Sequence, residues 1–471
     1  MNRFTLRRAA LREHGPSILV AALSSTFGVT LLLASKDLAV MIYGDSATGG
    51  SVIVSFVLGF IAFVFVAIAI YVGAVVTSNT FGTIVAGRTR TIALLRLIGS
   101  SAADQRRAVA REGLAVGVIG ALLGLIIGIG ANALLLGVAL ATHFVPPLGF
   151  SYIDPSIALP VVSVILTTWL ASWIGSRRVL VVTPMQATGA AQEHTFEEAA
   201  GRAGRNAVAI TLFVLGVLIL LGGVALGQSD PRGILVGVVG GLLSFTGVVL
   251  GAQLVMPPTL RLVGRVLGTS ASSRLAAQNA IRYPERSSRT TIGLVIGVTL
   301  ITMFSVAVQT VLVIIDAARK AQPEVYAGTD QILTVTAVIF SVVGGFSAVI
   351  AAVGMVNNLS LSVLQRTREL GLLRALGFTA RQVRSMIVAE SVQLTVAAVV
   401  VGLILGTFYG WAGAESMLGE IQGSPGLVFP AVPVALVVGV IAAAALLTWL
   451  ASATPARRAT RVAPVTALAV E

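Results

Sequence analysis

Two lysines, three histidines and no cysteine bound the chemistry open to this 471-residue chain. A nucleotide-hydrolysing site needs a Gly-rich loop that cradles phosphates and a Lys that reaches the β- and γ-phosphates, in the pattern G-x-x-x-x-G-K-[ST]. Lys36 follows Ser35 and Lys320 follows Arg319, so neither lysine fits that pattern. His14, His143 and His194 fall in three separate segments, without the i, i+4 spacing that sets two metal ligands on one helix face. The absence of Cys removes thiol nucleophiles, disulfides, Fe–S clusters and Cys-type zinc centres together. Paired intramembrane Asp residues, which an aspartyl protease would require, are also missing. The residues therefore predict no catalytic group, no cofactor-binding group and no metal ligand set in this chain.

What remains is arginine, short acidic runs and a great deal of apolar sequence. Hydrophobic residues make up 56% of the chain and charged residues 11%, whereas soluble domains carry roughly a quarter charged. The net charge of +13 would suit nucleic acid, because Lys and Arg release counterions from phosphates. Its distribution excludes that partner: no basic stripe with interleaved aromatics occurs, and the charge lies between apolar runs of bilayer-spanning length. Those runs fall at 17–35, 51–77, 113–140, 156–175, 208–227, 235–256, 291–315, 331–356, 391–412 and 431–452, an all-α polytopic membrane fold of about ten transmembrane helices. With the N-terminus inside, all of the 32 Lys and Arg residues lie in inner segments except Lys36, Arg232, Arg319 and Lys320. The positive-inside rule then predicts that both termini and the 256–290 segment face the cytoplasm. Glu112 and Glu390 sit at span boundaries, and no other Lys, Arg, Asp or Glu falls within a span, which weighs against a proton-coupled carrier with buried relays.

An internal repeat organises these spans. Arg88-Thr89-Arg90-Thr91-Ile92-Ala93-Leu94-Leu95-Arg96-Leu97-Ile98-Gly99 aligns without gaps on Arg366-Thr367-Arg368-Glu369-Leu370-Gly371-Leu372-Leu373-Arg374-Ala375-Leu376-Gly377. The same register pairs Arg106 with Arg384, Glu112 with Glu390, Gly124 with Gly402 and Gly128 with Gly406, and a two-residue slip pairs Trp169-Leu170-Ala171-Ser172 with Trp449-Leu450-Ala451-Ser452. A Gly-Val-Thr-Leu echo at 28–31 and 297–300 extends the match to the first span of each copy. Two intervening spans preserve the orientation of the second copy, so two parallel four-helix repeats are expected, related by an axis along the membrane normal. Residues 1–190 form the first repeat, 191–270 the connecting pair of spans and 271–471 the second repeat.

In the repeated segment, Leu370, Leu372, Leu373 and Leu376 give an apolar surface bordered by Arg366, Arg368 and Arg374. An amphipathic cytoplasmic helix of this kind either lies on lipid headgroups or docks into a groove on a soluble partner. The spacings of Gly120, Gly124 and Gly128, and of Gly402 and Gly406, fit small-xxx-small helix packing. Glu112 and Glu390 read as carboxylates opening spans three and nine, where the helix N-terminus favours negative charge, or as parts of a coupling device.

The basic-acidic step into Glu369-Leu370-Gly371-Leu372-Leu373-Arg374-Ala375-Leu376-Gly377, with Glu390 opening the next span, resembles the FtsX/MacB-type family of ABC transporter permeases. The first copy departs from the family pattern with Thr91 for the acid and Ala93 for the first Gly. The loops at 36–50 and 316–330 are short, where many such permeases carry a substantial extracytoplasmic domain. The resemblance implies a membrane permease subunit in the bacterial inner membrane, exporting or extracting an amphipathic lipid or peptide. It implies ABC-type ATPase subunits as partners, two per chain, which bind ATP and Mg on separate polypeptides. Membrane lipids and an accessory envelope protein complete the expected partners. Arg88, Arg90, Leu95, Arg96 and Gly99, with Arg366, Arg368, Glu369, Leu370, Gly371, Leu373, Arg374 and Gly377, become the ATPase-coupling residues. A non-transporting regulator of an envelope partner and a secondary carrier are the alternative functions.

Overall fold

The computed structural model describes residues 3–44, 70, 71, 74, 78, 89–142, 149–151, 153–176, 203–266, 278, 284–324 and 376–461. All regular structure among them is helical. The helices are α1 (Arg3–Gly44), α2 (Thr89–Leu97), α3 (Ala102–Ala141), α4 (Ala158–Gly175), α5 (Ala203–Gly227), α6 (Gly233–Leu250), α7 (Ala252–Val266), α8 (Pro284–Ala321), α9 (Ala380–Leu418) and α10 (Val434–Arg461), with a single 3-10 turn at Pro155–Ile157 before α4. Seven of them are long and apolar enough to cross a membrane, and α10 adds a shorter apolar stretch, Val434–Leu446. The expected spans at 51–77 and 331–356 lie outside the described residues, apart from positions 70, 71 and 74 in the first.

Helix after helix overruns the apolar run that announced it. α3 contains 40 residues and starts at Ala102, so at 1.5 Å per residue it is about 60 Å long, roughly twice the hydrocarbon thickness. Its first turns carry Asp104, Arg106, Arg107, Arg111 and Glu112. Hydropathy marks only the section in lipid, and Arg, Gln and Glu are good enough helix formers to continue the helix into water. One expected span ends earlier than predicted: α6 stops at Leu250, its C-cap is Gly251, and residues 252–256 belong to the separate helix α7.

The chain divides into two compact units. In the first, α3 packs between α1 and α4. The core there is Ala21, Val29, Leu33, Ala121, Val161 and Val164, while Leu122, Ile126, Ile127, Leu134 and Val138 of α3 point outward. Small residues inside and large apolar ones outside are what helix association in lipid selects, because lipid tails compete as well as Leu for apolar surface.

In the second unit α9 takes the central place, with α8 and α10 beside it and the α5–α6 hairpin on a further face. The hairpin is zipped by glycine: a Cβ on Gly223 would lie 2.5 Å from the Gly237 nitrogen, and one on Gly247 2.5 Å from the Phe213 nitrogen. Tyr409 of α9 meets the hairpin, hydrogen-bonded to Ser244 at 2.9 Å and edge-on to Phe245. Helix α7 buries Met256, Leu260 and Val263 against Leu294, Val298, Leu394 and Ala398 of α8 and α9.

Candidate functional site

Each repeat contains an elbow that leads into its long central helix. In the first, α2 is nine residues long, Ser100 N–H donates to the Leu95 carbonyl at 3.0 Å, and Gly99 takes φ +102°. That six-to-one bond around a left-handed glycine is the Schellman way of ending a helix. Only Gly adopts this φ without a steric penalty, which gives the terminal glycine of the repeat a physical reason. Two residues on, the Ser101 hydroxyl caps α3 by accepting from Asp104 N–H at 3.0 Å. The second elbow has the same logic: Gly377 takes φ +99°, and Thr379 and Gln382 form a capping box at the start of α9.

Burial sorts the residues of the first elbow. Ile92 and Ala93 are buried, with Ile92 packed on Val109, Val116 and Ile18, so α2 is seated on α3 and α1. Leu95 is half-buried. Leu94, Leu97 and Ile98 are exposed, Ile98 at 81%. At the second elbow Leu376 is 78% exposed, with Phe378 beside it. Arg90 and Arg96 lie within α2. Arg88, Arg366, Arg368, Glu369, Leu370, Gly371, Leu373 and Arg374 lie outside the described residues.

Arg106 ties the start of α3 to the end of α4: its guanidinium sits 3.8 Å above the Trp173 ring and donates to the Trp173 carbonyl at 3.5 Å. The repeat partner Arg384 is exposed, and Ala453 stands where Trp173 would be. The two halves thus share an elbow but not this brace.

The glycines named from the sequence all contact the first helix of their repeat. A Cβ on Gly120 would lie 2.5 Å from Ala21 Cβ, on Gly124 2.5 Å from Ser25 Cβ, and on Gly128 2.9 Å from Val29 Cβ. On α9 the corresponding distances are 2.7 Å from Gly402 to Val298 Cβ and 2.5 Å from Gly406 to Thr302 Cβ. These contacts equate Ser25 with Val298 and Val29 with Thr302. The Gly-Val-Thr-Leu echo is therefore out of packing register by one helical turn. The α1 interface also carries hydrogen bonds, from Ser25 Oγ to the Ala121 carbonyl at 3.0 Å and from Thr30 Oγ1 to the Gly128 carbonyl at 3.2 Å.

Sequence reasoning missed the other face. A Cβ on Gly117 would lie 3.1 Å from Thr168 Cβ of α4, and Gly113 abuts Ser172. In the second repeat, Thr395 stands in place of Gly117 and accepts a hydrogen bond from Thr448 at 2.7 Å. Thr168 and Thr448 directly precede the repeated Trp-Leu-Ala-Ser, which was the available signal. The helix-opening reading of Glu112 and Glu390 is corrected: α3 begins at Ala102 with Asp104 in its first turn, and α9 begins at Ala380 with no acid there. Both carboxylates are interior to their helices, beyond the first-turn reach of the helix dipole.

Polar clamps at the opposite ends of the long helices were also unforeseen. Lys36 pairs with Asp154 in the loop before α4. The lysine and the Ser156 hydroxyl and N–H hold the Asp154 carboxyl down at about 2. Asn132 donates to Asp37 at 2.9 Å, whose pKa is raised by burial, with that hydrogen bond opposing. In the second unit Glu415, fully buried on α9, accepts from Gln228 Nε2 at 3.0 Å and from Val428 N–H at 2.8 Å. One carboxylate thus joins the turn of the α5–α6 hairpin to the loop before α10.

Comparison with known proteins matches two stretches, residues 63–184 and 341–464, to a family described as FtsX-like permease C-terminal. An uncharacterized ABC transporter permease of Bacillus subtilis, YknZ, is 30% identical over 31% of this chain and 35% of its own length. The ABC transporter permease YtrF of the same organism is 29% identical over 27% of this chain and 30% of its own. The macrolide export ATP-binding/permease protein MacB of Nitrobacter winogradskyi is 29% identical over 28% of this chain and 19% of its own. The chain thus spans about a third or less of each of these relatives.

Proposed function

The chain belongs to the FtsX-like permeases of ABC transporters, and from that premise we propose that it works with separately encoded ATPase subunits to export or extract an amphipathic lipid or peptide. The observation that carries this reading is the pair of elbows. Each repeat offers exposed apolar side chains, Leu94, Leu97 and Ile98 in one and Leu376 and Phe378 in the other, beside a rigid entry into a helix of about 60 Å. Buried apolar anchors with a charged rim are the residues that hold a partner and orient it.

The proposed mechanism is mechanical. The ATPase supplies ATP, Mg and the energy of closure; this chain supplies the receiving surface and the transmission. A push on α2 meets Ile92, seated on Val109 and Val116, and so loads α3 itself. The turn between α2 and α3 is short and hydrogen-bonded at both ends, so little of the displacement is lost in the connection. Since α3 and α9 are continuous through the membrane, movement at the elbow reaches the clamps at the far ends without crossing a loop. The glycine interfaces keep α1 against α3 and α8 against α9, so each pair moves as a unit. Arg88, Arg90, Leu95 and Arg96 in one copy, and Arg366, Arg368, Glu369, Leu370, Leu373 and Arg374 in the other, complete the proposed docking elements. The orientation proposed from the charge distribution puts both elbows in the cytoplasm.

The test is purification with the candidate ATPase co-expressed. Stable co-purification, with ATP hydrolysis that depends on both proteins, supports the reading. Transport by the purified chain alone, driven by an ion gradient, would replace it with a secondary carrier.

A further inference from the structure

The segment between α9 and α10, residues 419–433, is irregular yet tethered throughout. Gly423, at φ +78°, packs against the end of α8, its Cβ position 3.1 Å from the Ala318 carbonyl and from Ala321 Cβ. Val428 is pinned on both backbone groups: its N–H donates to buried Glu415 and its carbonyl accepts from Trp411 Nε1 at 2.7 Å. Ala431 N–H donates to the buried Thr310 hydroxyl at 3.4 Å. Pro430 and Pro433 restrict the residues before them, Phe429 and Val432, to extended backbone.

Against this fixed backbone the apolar side chains point away from the protein. Val428 is half-buried while Leu427 and Phe429 on either side of it are exposed, the alternation of extended chain, in which side chains two apart share a side. Phe429 is 94% exposed, and Leu427, Val432 and Val434 are exposed with it. From Ile421 to Ala456 there is no Lys, Arg, Asp or Glu. The patch runs directly into α10, where Val434, Val438 and Ile441, spaced by a helical turn, are exposed in a stripe along an apolar helix.

We infer that Leu427, Phe429 and Val432 form a rigid wedge that inserts between the lipids of the leaflet at the Leu418 end of α9. The inference goes beyond the proposed transport function and does not depend on it. Continuity with the outward stripe of α10 places the patch at membrane depth. The absence of charge suits lipid, whereas a protein-binding patch would carry a polar rim. Four tethers hold the wedge open before any lipid arrives, so little side-chain or loop ordering opposes insertion. A Phe at this boundary is the kind of anchor found at membrane interfaces.

Because the chain contains no Cys, single cysteines are introduced at Phe429→Cys, Leu427→Cys and, as an aqueous reference, Glu420→Cys. Each is labelled with an environment-sensitive fluorophore and reconstituted in vesicles of phosphatidylethanolamine and phosphatidylglycerol. Expected are quenching of the 427 and 429 labels by lipids carrying a nitroxide high on the acyl chain, and iodide quenching several-fold weaker than at 420. Retention of the unlabelled protein's melting temperature shows that each variant is folded, and positions 427 and 429 check one another if one variant fails. Iodide quenching at 429 equal to that at 420 would overturn the wedge. Protection from both quenchers would also overturn it, since it would mean that protein, either a second copy or another chain, covers the patch.

Discussion

Replacing Gly124 by Ala adds one methyl group to α3 at a place where α1 leaves no room. The new Cβ would lie 2.5 Å from Ser25 Cβ and 2.8 Å from the Thr26 nitrogen, and closer still to the Ala22 carbonyl oxygen. Two of these three atoms are backbone, so rotating a side chain gives no relief and α1 must retreat. A retreat of about 1 Å forfeits a quarter to a half of the dispersion energy across the contact. It also stretches the bonds of Ser25 to Ala121 and of Thr30 to Gly128, now at 3.0 and 3.2 Å, each worth about 0.5–1.5 kcal/mol. With overpacking itself costing about 1–3 kcal/mol, the expected destabilisation is about 2–4 kcal/mol. Gly130→Ala is the internal control: it lies on the same helix and nothing stands within 4 Å of its Cβ, so the same change should be neutral or stabilising by up to about 1 kcal/mol. The assay is unfolding in mixed micelles, following tryptophan fluorescence against denaturing detergent. Equal midpoints for Gly124→Ala and Gly130→Ala would refute the argument that α1 and α3 meet backbone to backbone through glycine.

Other predictions follow from the clamps and the charge distribution. Glu415→Ala leaves Val428 N–H and Gln228 without their shared acceptor, and should cost about 2–4 kcal/mol. Hydrogen exchange should then rise at both residues 228–232 and 419–433, and a rise at only one would break the proposed link. The Asp154 carboxyl, lowered from 3.8 to about 2, stabilises the fold above its unfolded value, and that contribution disappears as pH falls through the folded one. Asp154→Asn should therefore flatten the dependence of melting temperature on pH between about 4 and 2, by well under the full pKa shift because the pair is partly solvent-exposed. Ser270→Cys should resist an impermeant thiol reagent in intact cells, as the charge asymmetry predicts; labelling there would reverse the topology.

Much of this architecture was legible because lipid imposes a strong code. Apolar runs located the helices that the structure describes, and the gapless repeat from Arg88 to Gly99 and Arg366 to Gly377 pointed to the turns at Gly99 and Gly377. The helix ends were less legible, since Arg106, Arg107 and Arg111 are charged yet helical and hydropathy cannot see past the bilayer. Register between helices was hidden too. The Gly-Val-Thr-Leu echo is one turn away from the packing, because contact with α3 is set by Ser25 and Val29 and their counterparts Val298 and Thr302, which share no residue type. Glu415 fell just beyond the expected span at 391–412, and its hydrogen-bond donors, Gln228 and Val428, are distant or irregular in sequence. At the elbow, the pattern of leucines gave an apolar surface but not its division, in which Ile92 faces the protein and Leu97 and Ile98 face away.

The central claim is that the elbows receive a separate ATPase, and photo-crosslinking tests it most directly. Ile98→Cys and Leu376→Cys, exposed positions on either elbow, and Ile126→Cys on the outward face of α3 each take a thiol-reactive benzophenone in the Cys-free chain. Irradiation of membranes containing both proteins should join the ATPase to the labels at 98 and 376 and not to that at 126. Failure to capture it from either elbow, with the ATPase bound and active, would contradict the account.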